Sequence, residues 1–454
     1  MTDPAVLDPA AVRAAAVRLR SAGVRTVVGT TVNAAGLTLA KSVPVARLDA
    51  FAAAGMGASP VWHAFCVDAA IAFTDAITAV GDLRLRLDAD SVRDLGGGIA
   101  WGPADYYFQD GTPDPRCARG LLGGVVRRLA AERVSARVGH ELEFVLVAPD
   151  GSALPDPAWI PYGASGLVRF EAFLADLHDA TAAAGVELEQ VHAEYGRNQI
   201  ELSLPPAPPT VAADTAVLAK FVIGRVARRH AMLASFSPVP FAGSVGNGAH
   251  QHFSLHRDGH PLFERGTGPH GVTDDGAAAI GGIVAALPHI QGMLTGSALS
   301  GIRLQPGLWS GVHACWGLEN REAAVRLVQG GTGNPHGANV EVKIIDPSAN
   351  VYSASAVLLA AALDGILGGA ELPAEVPDDP SKLSPDQLAG RGIALLPGDA
   401  ATVVDALDRS QLARRLVGDA VVDATVATRR YEHRTLADLD AEVLAERLRL
   451  VWSI

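Results

Sequence analysis

The chain predicts an α+β fold in two units, and three observations carry that reading. Short strand-like runs crowd the first hundred residues between Gly and Pro signals. A loop rich in Gly, Pro and Asp follows from Trp101 to Pro115. Beyond it, amphipathic helices alternate with strands that carry acids. A small sheet-rich domain is therefore expected at 1–112 and a larger mixed α+β domain at 113–454.

The elements follow in order. Ala10 to Ala22 has helical periodicity and ends at Gly23, a C-cap. Val24 to Val28, Leu37 to Ala40, Val61 to Val67 and Leu83 to Leu87 read as short strands. Arg116 to Glu132 and Arg169 to Ala184 are amphipathic helices, the second closed by Gly185. Each leads into a strand: Val138 to Val147, then Val186 to His192 continuing toward Glu201. A longer helix fills Ala212 to Phe236 until Ser237-Pro238, and Gly248 to His256 alternates as a strand. Pro373 to Pro385 reads as a surface loop, and helices at about Asp399 to Leu416 and Ala437 to Val451 close the chain.

Composition excludes several classes. At 454 residues with 49% hydrophobic and 19% charged side chains, the chain can bury a large core and is not disordered. A net charge of -12 and the lack of long basic stretches argue against a nucleic-acid partner. Cys66, Cys117 and Cys315 show no C-x-x-C spacing and leave one over, which disfavours a disulfide framework and fits a reducing cytoplasm. The start, Met1 to Pro4, lacks a signal-peptide pattern. Ala277 to Leu287 stops at Pro288 and Val357 to Leu363 at Asp364-Gly365, both short of the roughly 20 apolar residues of a membrane span. A soluble cytoplasmic protein is expected.

Four islands of metal-liking residues lie far apart in the chain. They are Glu141 and Glu143 in G-H-E-L-E-F, Glu194 and Glu201 in H-A-E-Y-G-R-N-Q-I-E, His250 and His252 in N-G-A-H-Q-H-F-S, and Glu341 in N-V-E-V-K. In a strand, residues i and i+2 share a face, so Glu141 and Glu143 point one way while Leu142 and Phe144 face the core. His250, His252 and Ser254 share a face by the same rule. Taken alone, each island also describes a half-buried strand with a charged wet side. Together they form a carboxylate-rich set with one or two imidazoles, suited to hard divalent cations such as Mg or Mn.

Glu194 and Glu201 are seven apart, and Gly196 and Asn198 supply a bend that lets both converge. Arg321 and Arg326 in W-G-L-E-N-R-E-A-A-V-R have the forked donors to grip phosphate oxygens, or else pair with Glu319 and Glu322. No G-x-x-x-x-G-K-[ST] loop and no G-x-S-x-G elbow is present.

The ordered set of motifs resembles the glutamine synthetase family across nearly the whole chain. Its carriers are G-H-E-L-E-F, H-A-E-Y-G-R-N-Q-I-E, G-N-G-A-H-Q-H-F-S-L, R-L-Q-P-G, N-R-E-A-A-V-R and N-V-E-V-K-I-I-D-P-S-A-N-V-Y. The resemblance implies a small N-terminal β-grasp domain and a large catalytic domain with a curved antiparallel sheet flanked by helices. It implies active sites between subunits of hexameric rings stacked as dodecamers. It further implies ATP and two or three Mg or Mn ions per active site.

Carried over position by position, one metal site would use Glu143, Glu194 and Glu201, and the other Glu141, His250 and Glu341. Glu189, His192, His252 and Ser254 fall at ATP contacts, and Arg321 and Arg326 at the phosphates. Gly246 and Arg303 correspond to contacts with the acid substrate, and Asp68 to the aspartate a neighbouring subunit offers to the incoming amine. The implied reaction converts the glutamate side-chain carboxylate to an acyl phosphate with ATP, after which an amine expels phosphate.

The departures lie at the substrate end. In R-L-Q-P-G-L-W-S-G, Trp309 stands where the family's flap glutamate closes over ammonium, offering an apolar wall or a cation-π surface instead. Lys343 replaces an arginine for the substrate carboxylate, Val245 an asparagine and Asn339 a phosphate-binding arginine. No tyrosine lies between Tyr352 and Tyr431, where regulated bacterial enzymes carry an adenylylation loop. A ligase that joins glutamate to a primary amine other than ammonia is therefore expected, such as a polyamine, ethanolamine or another small amine. Ordinary glutamine synthesis and a non-catalytic nucleotide-binding ring protein are the alternatives.

Overall fold

The computed structural model describes residues 9–155, 158–334 and 336–454, so the leader reading at Met1 to Pro4 falls outside the described residues. The first unit is a small mixed sheet. Its strands are β1 (Thr26–Val32), β2 (Thr38–Pro44), β3 (Met56–Ala58), β4 (Leu83–Leu87), β5 (Arg93–Asp94) and β6 (Ile99–Tyr107). The order is β2-β1-β6-β4-β3, with β5 also on β6 and a parallel β1/β6 pair. Helices α1 (Pro9–Ser21) and α2 (Leu48–Ala53) cover one face, burying Val12, Leu48 and Phe51 against Val27, Leu83 and Leu85.

Two readings change here. Val61 to Val67 is no strand: Pro60–Ala64 is a 3-10 turn, because Pro60 fixes its own φ and the Ser59 side chain caps the turn through the Val61 N–H. The expected boundary loop begins later, since Trp101 to Tyr107 belongs to β6 in the middle of the sheet.

The second unit is built on a sheet of order β16-β13-β14-β15-β11-β7-β9-β8. Its strands are β7 (Val134–Val147), β8 (Gln190–Ala193), β9 (Gln199–Ser203), β10 (Leu233–Ser235, on β7), β11 (Gln251–Arg257), β12 (His260–Pro261, on β11), β13 (His313–Leu318), β14 (Ala323–Val328), β15 (Asn339–Val342) and β16 (Ala394–Leu395). The pairs are antiparallel except β13/β14, which is parallel. The helical segment Ala212 to Phe236 divides into a helix ending at Arg229 and the strand β10.

Helices pack on this sheet: α3 (Ala118–Ala131), α4 (Ala164–Arg169), α5 (Glu171–Ala183), α6 (Pro209–Arg229), α7 (Asp274–Leu294), α8 (Ser300–Arg303) and α9 (Val351–Gly368). The chain continues through α10 (Pro385–Gly390), α11 (Ala400–Arg409), α12 (Gln411–Val417), α13 (Asp419–Leu436) and α14 (Ala441–Leu448). Pro288 does not end α7, which runs on to Leu294. The cost of an interior proline, about 3 kcal/mol, is offset by burial against α9. Close approach there needs glycine: a Cβ on Gly282 would lie 2.7 Å from the Ala361 carbonyl, and one on Gly365 2.3 Å from the Ala278 carbonyl. Contrary to the sequence reading, α7 and α9 are long and apolar enough to cross a membrane, yet both are mostly buried in this core.

Two junctions tie the units together. Arg119 of α3 meets Asp88 and Asp105 of the first unit at 2.6 Å and Asp214 of α6 at 2.9 Å, and the Tyr352 hydroxyl donates to Asp214. Asn350 caps α9 with its side-chain oxygen while its amide donates to the Val32 and Asn33 carbonyls. These contacts fix the first sheet against the strands that carry the acids.

Candidate active site

Strand registry assembles the islands. Glu143 on β7 stands opposite Glu201 on β9, which stands opposite His192 on β8. Glu194 follows β8 directly, and the turn before β9 places Asn198 in the left-handed region at φ 58°. The odd spacing between Glu194 and Glu201 is thus resolved by a hairpin, which sets the two acids on neighbouring strands. On the other side, His252 on β11 lies between Gly139 and Glu341, and Glu341 on β15 lies opposite Arg326 on β14.

Two groups of possible metal ligands result, each with its ligand atoms within 4.8 Å of one another: Glu141, His250 and Glu341, and His192, Glu194 and Glu201. His250 Nδ1 is 2.9 Å from Glu141 and 3.5 Å from Glu341. His192 Nε2 is 3.2 Å from Glu194 and 3.9 Å from Glu201. His192, expected among the ATP contacts, therefore stands with the second acid group, where the sequence reading had put Glu143. Glu143 borders the same group across β9.

The electrostatics of the two groups differ. Burial would raise Glu141, but the His252 and His250 rings outweigh it and hold it well below the usual carboxylate range. Glu341 is also buried, yet the Lys343 ammonium at 3.0 Å and His252 hold it down to about 2. Burial alone would lower His252, but Glu141 overrides it and raises the ring to about 9. In the second group burial would raise Glu194, but the His192 ring and the Tyr195 N–H hold it below its usual range. Burial raises Glu143, and burial with Glu141, Glu143 and Glu194 nearby pushes Glu201 up to about 11. Such crowded oxygen donors suit a hard divalent cation, which would offset the charge that the protein leaves uncompensated.

The remaining predicted residues fall as follows. Arg303 is buried, donating to the Ile344 carbonyl at 3.0 Å and lying 3.2 Å from His250 Nε2. Gly248 packs among these groups: a Cβ there would meet Glu143, His250 and Arg303 within 3.0 Å. Gly246 accepts from Gln199 through its carbonyl. Lys343, expected to face a substrate carboxylate, pairs with Glu341 at 3.0 Å. Arg326 pairs with Glu319 and Glu341, whereas Arg321 is exposed with no ion pair among the described residues. Ser254 is half-buried on β11, and Glu189 is exposed and pairs with His336. Trp309 is 52% exposed on its loop. Asp68 is not part of the cluster; its partners are the Ala70 N–H and the Tyr431 hydroxyl.

Residues absent from the sequence reading complete the site. Gln199, fully buried, donates to Glu143 at 3.0 Å, to the Gly246 carbonyl and to Asn247. Strand alternation from Glu201 places it on the acid face, so the signal was present. Tyr162 stacks on His192 with centroids 6.0 Å apart and donates its hydroxyl to Glu194. It lies in a loop at φ 56°, where no periodicity marks it.

Comparisons with known proteins bear on the family and the fold. A family model of the glutamine synthetase catalytic domain matches residues 115–445. The gamma-glutamylpolyamine synthetase GlnA3 of Streptomyces coelicolor is 39% identical over 432 residues, covering 93% of this chain and 92% of that protein. A glutamine synthetase of Pyrococcus abyssi is 30% identical over 342 residues, 75% of this chain and 76% of that protein. Among solved structures, a novel glutamine synthase homolog superposes with TM-score 0.85 at 29% identity, covering 94% of this chain and 99% of that one. The GmaS/ADP complex superposes with TM-score 0.83 at 27% identity, covering 94% and 97%.

Proposed function

The chain belongs to the glutamine synthetase family and is an ATP-dependent ligase that forms carbon–nitrogen bonds; from that premise we propose that it joins the side-chain carboxylate of glutamate to a polyamine or another primary amine other than ammonia. The observation that carries this reading is Trp309. It presents a largely exposed indole on the flap where an ammonium-using enzyme needs an acid. The similarity to a gamma-glutamylpolyamine synthetase supports a polyamine, and a net charge of -12 favours approach of a polycation.

In this proposal Glu143, Glu194 and Glu201, with His192 beside them, hold one Mg or Mn, and Glu141, His250 and Glu341 hold another. Bound ions would supply positive charge to the phosphate oxygens of ATP during phosphoryl transfer. Gln199 orients Glu143 by donating to its carboxylate. Arg321, unpaired and exposed, is free to take a phosphate oxygen; Arg326 does so while anchored to Glu341. Glu189, His252 and Ser254 are assigned to ATP, and Gly246, Arg303 and Lys343 to the acid substrate. Asp68 serves the amine site of a neighbouring subunit in hexameric rings stacked as dodecamers. The domains divide near residue 112, between β6 and α3. Three buried free thiols suit the cytoplasm.

The test is direct. Protein incubated with glutamate, ATP, Mg and an amine panel is expected to release phosphate with at least one organic amine, and strong preference for ammonia would refute the proposal.

A further inference from the structure

Glu322 is a buried carboxylate that no role above uses. It is 4% exposed and has no ion pair among the described residues. Its oxygens accept two backbone N–H groups, those of Trp309 at 2.7 Å and Gly307 at 3.4 Å. A buried carboxyl is costly unless its oxygens are hydrogen-bonded, and here the two loop N–H groups are those partners. Glu322 holds the loop 304–311, and it holds that loop at its most constrained point. Trp309 lies in the left-handed region at φ 53°, a conformation that bulky side chains rarely adopt and that persists only where the surroundings over-determine it.

Glu322 is itself braced. Its N–H donates to Asn320 Oδ1, and the Asn320 amide donates to the Val376 and Asp378 carbonyls, so the link between β13 and β14 is fixed to the segment beyond α9. The loop is closed on its own side as well, since Ser310 Oγ donates to the Gln305 carbonyl and Gln305 to the Gly301 carbonyl. Leu308 and Trp309 stay exposed, so no apolar packing of these two side chains explains the conformation.

We infer that Glu322 is a positioning residue for the nucleophile subsite: by accepting the Trp309 and Gly307 N–H groups it holds the flap with its indole turned outward to meet the amine. A charged acceptor makes a stronger bond to an amide N–H than a neutral one, which suits a loop that must resist its own strain. The inference rests on the reading of Trp309 as the wall of the amine site.

The experiment measures kcat and the KM of nucleophile, glutamate and ATP for Glu322→Gln and Glu322→Ala. The expected result is a rise of about 10-fold in nucleophile KM for Glu322→Ala and a smaller one for Glu322→Gln, which keeps one acceptor. Glutamate and ATP KM are expected to stay within about 2-fold. Chymotrypsin is expected to nick the substituted proteins faster after Leu308 or Trp309. On a Trp309→Gly background, which removes both strain and indole, Glu322→Gln is expected to have no further effect on nucleophile KM. Equal changes in all three KM values, an unchanged nicking rate, or a full effect on the Trp309→Gly background would overturn the inference. These constants are read for whichever nucleophile the unaltered protein prefers, so a preference for ammonia refutes the polyamine reading without deciding the role of Glu322.

Discussion

Removing divalent ions is expected to make the protein's stability fall with pH, and the acids around Glu201 set the size of the effect. In the metal-free fold Glu201 is raised to about 11, far above its unfolded value, so the fold keeps a proton that the unfolded chain has released. Stability from such a group is present at low pH and is lost as pH rises toward the folded value. His252, raised to about 9 by Glu141, changes in the same direction above pH 6.5. Glu141 and Glu341 are held low, so their contributions are complete above about pH 4.5 and do not vary here. One retained proton is worth about 1.4 kcal/mol per pH unit, so the two groups together predict a loss of about 3 kcal/mol between pH 7 and pH 8. With Mn bound, Glu201 is held in its ligand-competent state and its half of the loss disappears. The assay is thermal unfolding with EDTA and with saturating Mn across this range, where the difference between the curves cancels every group outside the site. Calorimetry in buffers of different ionisation enthalpy is expected to show one to two protons released per protein on Mn binding. A stability difference that stays flat or shrinks as pH rises would refute the reasoning.

Glu341→Gln keeps the shape but not the charge, and is expected to lower kcat/KM on the order of 100-fold with the mass by light scattering equal to that of the unaltered protein. Trp309→Glu is expected to move the preference toward ammonia by about 10-fold in competition assays, and an unchanged ratio would place the flap elsewhere. Lys220 is lowered to about 8 by burial, which outweighs the pull of Asp346; its ammonium lies 3.5 Å from the Pro347 carbonyl and 5.1 Å from the Phe236 ring centre. A base depressed in this way penalises the fold below about pH 8, and the penalty fades toward pH 10.5. Lys220→Met is therefore expected to stabilise by about 1–2 kcal/mol at pH 7 and by less at pH 9.5, measured by urea unfolding.

The strands were legible where alternation was long and uninterrupted. β7 reads from Val138 to Val147 and forms from Val134, because Leu142, Phe144 and Leu146 alternate with the acids over a buried face. Legibility failed where a polar contact inside the core replaces the pattern. α13 is unmarked because its buried face carries Arg429 and Glu432, paired at 2.9 Å and bonded to the Ser348 carbonyl and the Val67 N–H. Pro288 misled because local propensity yields to burial. At the site, residue type and registry picked out the charged residues that the strands bring together, while Gln199 and Glu322 carry no such mark, since their contacts are hydrogen bonds to Glu143 and to the Trp309 N–H.

The two acid groups demand different things of an incoming ion. Around Glu341 the protein already supplies cations, Lys343 at 3.0 Å and Arg326 at 3.1 Å, so an ion there competes with salt bridges and displaces positive charge. Around Glu201 the neighbouring carboxylates Glu141, Glu143 and Glu194 dominate and the acid is held protonated, so an ion there displaces protons. Lowering the pH therefore weakens binding at the Glu201 side through its carboxylates. The half of the site that takes up its ion with proton release is also the half that Tyr162 covers and Gln199 braces, so pH controls it most directly.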